Sequence, residues 1–269
     1  MKAHFLVLLL LIILTVTGCQ KPFQQTADES SLPASVTSST NITLPRDKNI
    51  LVDASKDGGV WWFPQGTGGF DEAGDHQGKD LADYLRSLGF HVDELPRDAV
   101  ITDELLNNYS RILRAPPFFP YADAEIAAYK NFLERPGAIL LLQDHLSYDT
   151  NDKLSELLGL EFKGAVDGAI TSFVADDITN GVAALPFIAG AVVTNNIKNP
   201  NITVLGSLNK DEYTVLNGSN PFLDGNRRDA AVMGTVNNFP HTKIFFLGDG
   251  NAIESIPQPL TRNLVQWLF

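Results

Sequence analysis

From residue 49 onward two apolar patterns alternate: short unbroken hydrophobic runs, and stretches where apolar residues recur every three or four positions. The runs Ile50-Leu51-Val52-Asp53, Phe90 to Leu95, Arg111 to Ala115 and Ala138 to Asp144 predict strands, the last fully buried. Between them, Leu81, Tyr84, Leu85 and Leu88 predict a helix from Gln77 to Leu88, with Gly89 as its stop. Thr102 is placed to cap a short helix through Leu106. Ile126, Tyr129 and Leu133 predict an amphipathic helix over Ala122 to Glu134, ended by Pro136-Gly137. Asn151 is placed to cap a further helix, Asp152 to Leu158. Continuous apolar strands alternating with helices indicate a parallel sheet covered on both faces.

The pattern changes between Phe162 and Asn220, where Gly, Asn and Thr are frequent. Only short strands are predicted there, at Thr171–Val174, Ala191–Thr194, Ile202–Ser207 and Tyr213–Leu216, consistent with an antiparallel insertion beside the sheet. Ala230–Thr235 and Lys243–Leu247 return to core strands, and a helix from about Gln258 to Leu268 closes the chain. Upstream, Gln20 to about Asn49 is rich in Ser, Thr, Pro and Gln without apolar periodicity, which predicts a flexible tether.

The first residues carry an address. Phe5 to Leu14 is unbroken hydrophobe behind Lys2, followed by Val16-Thr17-Gly18-Cys19. A run this short is a signal peptide rather than a span, which needs about twenty apolar residues. The tetrapeptide resembles a bacterial lipobox, which implies that Cys19 is acylated and anchors the mature chain to membrane lipid. The expected organisation is a lipoprotein signal peptide over 1–19, a tether over 20–48 and an α/β domain over 49–269. The expected address is the bacterial cell envelope, and the outer membrane if the host has one, since Gln20 and not aspartate follows the cysteine. A cleaved leader or an uncleaved anchor with an incidental cysteine are the other readings.

Charge and cysteine content narrow the function. A formal net charge of −12 excludes a dense basic surface for nucleic acid or anionic headgroups. One cysteine allows no internal disulfide, so the fold rests on its core. No cofactor motif is present: the glycines of Ser55–Phe70 form neither a dinucleotide fingerprint nor a Walker loop.

Candidate chemistry gathers at strand ends. Open α/β sheets bind ligands beyond the carboxyl ends of their strands. Asp53, Arg114, Asp144, His145 and Asp249 all fall on that edge. Three carboxylates and an imidazole there suit a divalent cation or an acid–base pair. Strand-end aspartates equally cap the turns that follow them. Trp61 and Trp62, in a Gly-rich loop with Lys56, Asp57 and Gln65, are expected either to stack on a sugar-like ligand or to fold back as a lid. Pro116 to Tyr121 presents aromatics, Phe118 among them, beside the third strand.

The order of elements, and in particular Phe132-Leu133 followed by Pro136-Gly137 and the run Ala138 to Leu142, resembles class I glutamine-amidotransferase-like domains. The ending Phe245-Phe246-Leu247-Gly248-Asp249-Gly250, then Leu264-Val265-Gln266-Trp267-Leu268, is similar to their non-catalytic relatives: trehalose-utilisation-type proteins, trimerisation domains of some β-galactosidases, and extracytoplasmic domains of gliding-type transport proteins. The resemblance implies an α/β three-layer sandwich, amidotransferase-like or flavodoxin-like, with a mostly parallel central sheet plus the β-rich insertion. The elbow that holds the family's nucleophilic cysteine reads Leu142-Gln143-Asp144-His145-Leu146 here, and no His-x-Glu follows the late strand. Ser147 near His145 is the one faint nucleophile–base pair.

These readings lead to a non-catalytic, lipid-anchored protein binding a carbohydrate-like or other polar ligand through Asp53, Lys56, Trp61, Trp62, Gln65, Arg114 and Phe118, with no cofactor or metal. The alternatives are a carbohydrate-active hydrolase using Asp53, Asp144, His145 and Asp249, and an envelope assembly scaffold with a protein partner.

Overall fold

The buried runs become the parallel half of one sheet. In the computed structural model, which describes residues 48–57, 61–62, 77–145, 152–253 and 259–269, the strands are β1 (Asn49–Asp53), β2 (His91–Glu94), β3 (Arg111–Arg114) and β4 (Gly137–Leu142). With β11 (Thr242–Leu247) they lie in the order β2-β1-β3-β4-β11, each pair parallel. The leader with Cys19, the tether, Gln65, Asn151 and Ser147 lie outside the described residues.

Helices cover both faces, and alternate strand residues divide between two apolar clusters. Ile50, Val52, Leu113, Leu140 and Phe245 pack with Leu81 and Leu85 of α1 (Lys79–Ser87) and with Leu260 and Leu264 of α5 (Pro259–Leu268). Leu51, Ile112, Ile139, Leu141 and Phe246 pack with Leu106 of α2 (Asp103–Leu106), Tyr129 and Phe132 of α3 (Asp123–Leu133), and Leu154 of α4 (Lys153–Leu157). Each fully buried Leu, Ile or Phe contributes ~1.5–3 kcal/mol, so these two layers hold the fold.

Local signals set the helix ends. Thr102 Oγ1 accepts from Leu105 N at 3.1 Å, as expected of the cap. The cap of α4 is Asp152, not the expected Asn151: Asp152 Oδ1 accepts from Leu154 N at 3.0 Å and Oδ2 from Ser155 Oγ at 2.8 Å. The aspartate is needed there for a second reason, its ion pair with Arg114 described below.

The insertion is more extensive than its sequence pattern predicts. β5 (Phe162–Ile170) and β7 (Leu185–Val193) are nine-residue antiparallel partners. Only the end of β7 was expected and β5 was not, because Gly164 and Gly168 break its alternation. β6 (Ser172–Phe173), β8 (Ile202–Leu208) and β9 (Thr214–Val215) are close to expectation. The sheet forks at β10 (Ala230–Val236), which pairs with β11 on one side. On its other side β10 meets β7 at Ala231↔Val193 and then runs along β8. β7 passes over the carboxyl end of β11, where Ala191 N donates to Gly248 O at 2.9 Å. The insertion thereby stands above the edge that carries the candidate residues.

Candidate functional site

The strand-end residues do share one edge, but most of them are spent on the protein itself. Asp53, at the end of β1, is 1% exposed. Its Oδ1 accepts from Ser55 N at 3.1 Å and Ser55 Oγ at 2.7 Å. Its Oδ2 accepts from Tyr121 at 2.7 Å and Tyr129 at 2.5 Å. Four donors saturate a carboxylate. Burial and the Asp53 charge push both phenols well above the ordinary tyrosine range, so they remain donors. Asp53 is therefore an interior anchor that ties β1 to the start of α3, not a ligand contact.

Arg114 is corrected in the same way. Its guanidinium is fully buried, with Nη2 2.9 Å from Asp152 Oδ2 and 3.4 Å from Ser155 Oγ. It joins β3 to the first turn of α4. Lys56 Nζ lies 3.0 Å from Glu125 Oε1 and 5.7 Å from the Tyr121 ring. Burial pushes the Glu125 carboxyl up, yet N–H donors from Ala122 and Ile101 and the Lys56 ammonium outweigh it and hold it low.

The expectation that Trp61 and Trp62 offer faces to a ligand is overturned: both rings have zero exposure and belong to the core. They stack 6.0 Å apart, 25° from parallel. Trp62 N donates to Asp57 Oδ2 at 2.6 Å. Each indole lies flat against a glycine: a Cβ on Gly250 would sit 1.7 Å from Trp61 Nε1, and one on Gly78 would sit 2.1 Å from Trp62 Cε3. The sequence offered this alternative, a pair folded back over the sheet edge. Phe118 is half-exposed, and its ring meets Phe119 edge-on at 5.2 Å.

Asp249, after β11, is fully buried. Its Oδ2 accepts from Ile188 N and its Oδ1 from Asn251 N at 2.9 Å. Asp167 of β5 takes the next amide, Ala189 N, at 2.9 Å. Ala189 has a φ of 57°, so two carboxylates, one on β5 and one in the turn after β11, hold a left-handed kink in β7. Burial pushes the Asp249 carboxyl up to about 7; the two N–H donors oppose this, and the nearby Asp144 and Asp167 charges add to it. Asp167 was missed from the sequence because it lies in the glycine-broken stretch that hid β5.

Gln143, Asp144 and His145 follow β4, and here hydrogen-bonding capacity remains. Asp144 Oδ1 accepts from His145 N at 2.7 Å and lies 3.9 Å from His145 Nε2. Among the described residues its Oδ2 has no donor. Burial raises the Asp144 carboxyl, against the His145 N–H and imidazole. Gln143 Oε1 accepts from Asp144 N at 3.3 Å, while the fully buried Gln143 Nε2 has no acceptor. Among the described residues Trp61 Nε1, sealed against Gly250, also lacks one. Among the described residues one unspent donor, Gln143 Nε2, and one unspent acceptor, Asp144 Oδ2, thus lie at the end of β4, suited to a group that both accepts and donates. Among the described residues no group of three His, Cys, Asp or Glu side chains is arranged to hold a metal ion.

No family model matches this sequence, and no curated protein does. Solved structures share its fold. It is similar to the mmIFT52 N-terminal domain at 19% identity and a TM-score of 0.60, over 82% of this chain and 96% of that one. It is similar to a ThuA-like protein from Bacteroides uniformis at 16% identity and a TM-score of 0.51, over 83% of this chain and 91% of that one. At such identities the likeness is one of fold. The chain shares the α/β fold of these structures, and in it a parallel sheet flanked by helices on both faces is extended by an antiparallel insertion.

Proposed function

We propose that this chain is a lipid-anchored protein of the bacterial envelope, held through acylated Cys19, whose amidotransferase-like domain binds a polar, hydroxyl-bearing ligand without turning it over. The observation that carries this reading is the donor and the acceptor left at the turn after β4, Gln143 Nε2 and Asp144 Oδ2, beside the partly exposed His145 side chain. A buried polar atom without a partner costs about 1–3 kcal/mol, and a bound ligand is one way to recover it. A hydroxyl group is both donor and acceptor, which matches this mixture. The reading differs from the sequence expectation in its contacts: hydrogen bonds from the β4 turn replace aromatic stacking.

The hydrolase alternative loses support from the same geometry. Asp53 is saturated, and both Asp249 oxygens are taken by backbone N–H groups. That leaves Asp144 and His145, with Oδ1 and Nε2 3.9 Å apart, as what remains of the four residues that alternative needs.

The test is a thermal melt of the whole acylated chain in detergent against neutral mono- and disaccharides, divalent cations and a chelator. A sugar at about a hundred times its dissociation constant is expected to raise Tm by about 5–10 °C, with no effect of chelator. A shift that requires a divalent cation would replace this reading with a metal-dependent site. No shift with any sugar would remove the ligand class.

A further inference from the structure

We infer that the opposite, amino-terminal edge of the parallel half carries a second binding site, for an acidic sugar ring that packs against Trp267 and pairs with Lys243. Two clefts open there, of about 380 and 400 Å³, both bordered by Trp267 and Lys243. The first lies between the starts of β3 and β4 and the end of α5, and the second lies along the turn from β10 into β11. Each is at the small end of the range for small-molecule sites.

The charge of the lining is what selects the ligand. The chain has 32 acidic and 20 basic residues, yet Arg111 and Lys243 line these clefts and no aspartate or glutamate does. Arg111 Nη2 donates to Phe269 O at 2.7 Å, and Lys243 Nζ to Trp267 O at 2.7 Å, so both cations also close the end of α5. That role uses one of the three lysine N–H groups, and Lys243 is exposed. Its ammonium lies 5.2 Å from the Trp267 ring centre. A half-buried indole with an adjoining cation, and with exposed Gln266 and His241 alongside, suits a ring that has an apolar face, hydroxyls and an anionic group.

The experiment titrates the full chain in detergent with trigalacturonate, neutral galactotriose and inorganic phosphate, read by calorimetry and tryptophan fluorescence. The chain has three tryptophans, Trp61, Trp62 and Trp267, so the fluorescence change assigned to Trp267 is the part that vanishes in W267F and persists in D144N. Trigalacturonate is expected to bind, to weaken with added salt, and to bind about tenfold or more weakly to K243Q and W267F, whose melts establish that they fold. D144N is expected to bind it unchanged, which separates this site from the one at the β4 turn. Equal Trp267-dependent binding of galactotriose, equal Trp267-dependent binding of phosphate, unchanged binding by K243Q, or no Trp267-dependent binding up to about 10 mM would each overturn the inference.

Discussion

Asp249 is the residue whose chemistry most clearly separates structure from catalysis. Its carboxyl is pushed from 3.8 up to about 7 by burial, and both of its oxygens serve backbone amides. The folded state therefore keeps a proton that the unfolded chain releases. Such a group adds stability below its unfolded value, and that stability is lost as pH rises through the folded value. Between about pH 4 and pH 7 the chain is expected to become less stable as pH rises, and D249N is expected to lose that slope, read as Tm against pH. A D249N profile parallel to the wild type would refute the assignment. The strand-end placement of Asp53, Arg114, Asp144 and Asp249 was legible from the runs that precede them. Their partners were not: the tyrosines that saturate Asp53 lie 68 and 76 residues away. Only folding brings such groups together, so anchor and ligand contact look alike in a sequence.

The strands and helices of the parallel half were legible because each satisfies one local rule: an unbroken run, a 3.6-residue period, a glycine or proline stop. The insertion obeys none of these cleanly. β5 carries two glycines and an aspartate, and β7 is kinked at Ala189, so period-two alternation fails in both. Trp61 and Trp62 were ambiguous for a different reason. An aromatic pair in a glycine-rich loop reads the same whether it faces a ligand or closes a core, and the glycines against which these indoles pack, Gly78 and Gly250, lie outside that stretch. G250A is accordingly expected to cost about 1–3 kcal/mol through the clash with Trp61. In G250A/W61L the total is expected to fall short of the sum of the single variants, measured by denaturant titration. Additive costs would mean that the two residues do not pack together.

For the molecule as a whole, the proposed arrangement is an acidic α/β domain carried on a tether from a lipidated cysteine. A net charge of −12 gives it no electrostatic hold on anionic headgroups, so the acyl chains must supply the attachment. C19S is expected to move the chain from the membrane to the soluble fraction and to abolish labelling by palmitate. Retention of C19S on the membrane would refute the anchor. A domain held this way meets its ligands by diffusion over the envelope surface, and two sites at opposite sheet edges would let it join two of them.

The division of the strand-end acids into spent and unspent groups underlies the functional account, and it can be tested without knowing a ligand. The measurement is the Tm of D53N and D144N side by side at neutral pH. Asn at 53 cannot accept from all four donors, so a loss of about 3–5 kcal/mol and roughly 10 °C is expected. Asp144 is buried at a cost to its charge, and D144N is expected to leave Tm unchanged or raise it, as groups kept for binding often do. A D144N loss as large as that of D53N would make Asp144 one more internal anchor and contradict the account.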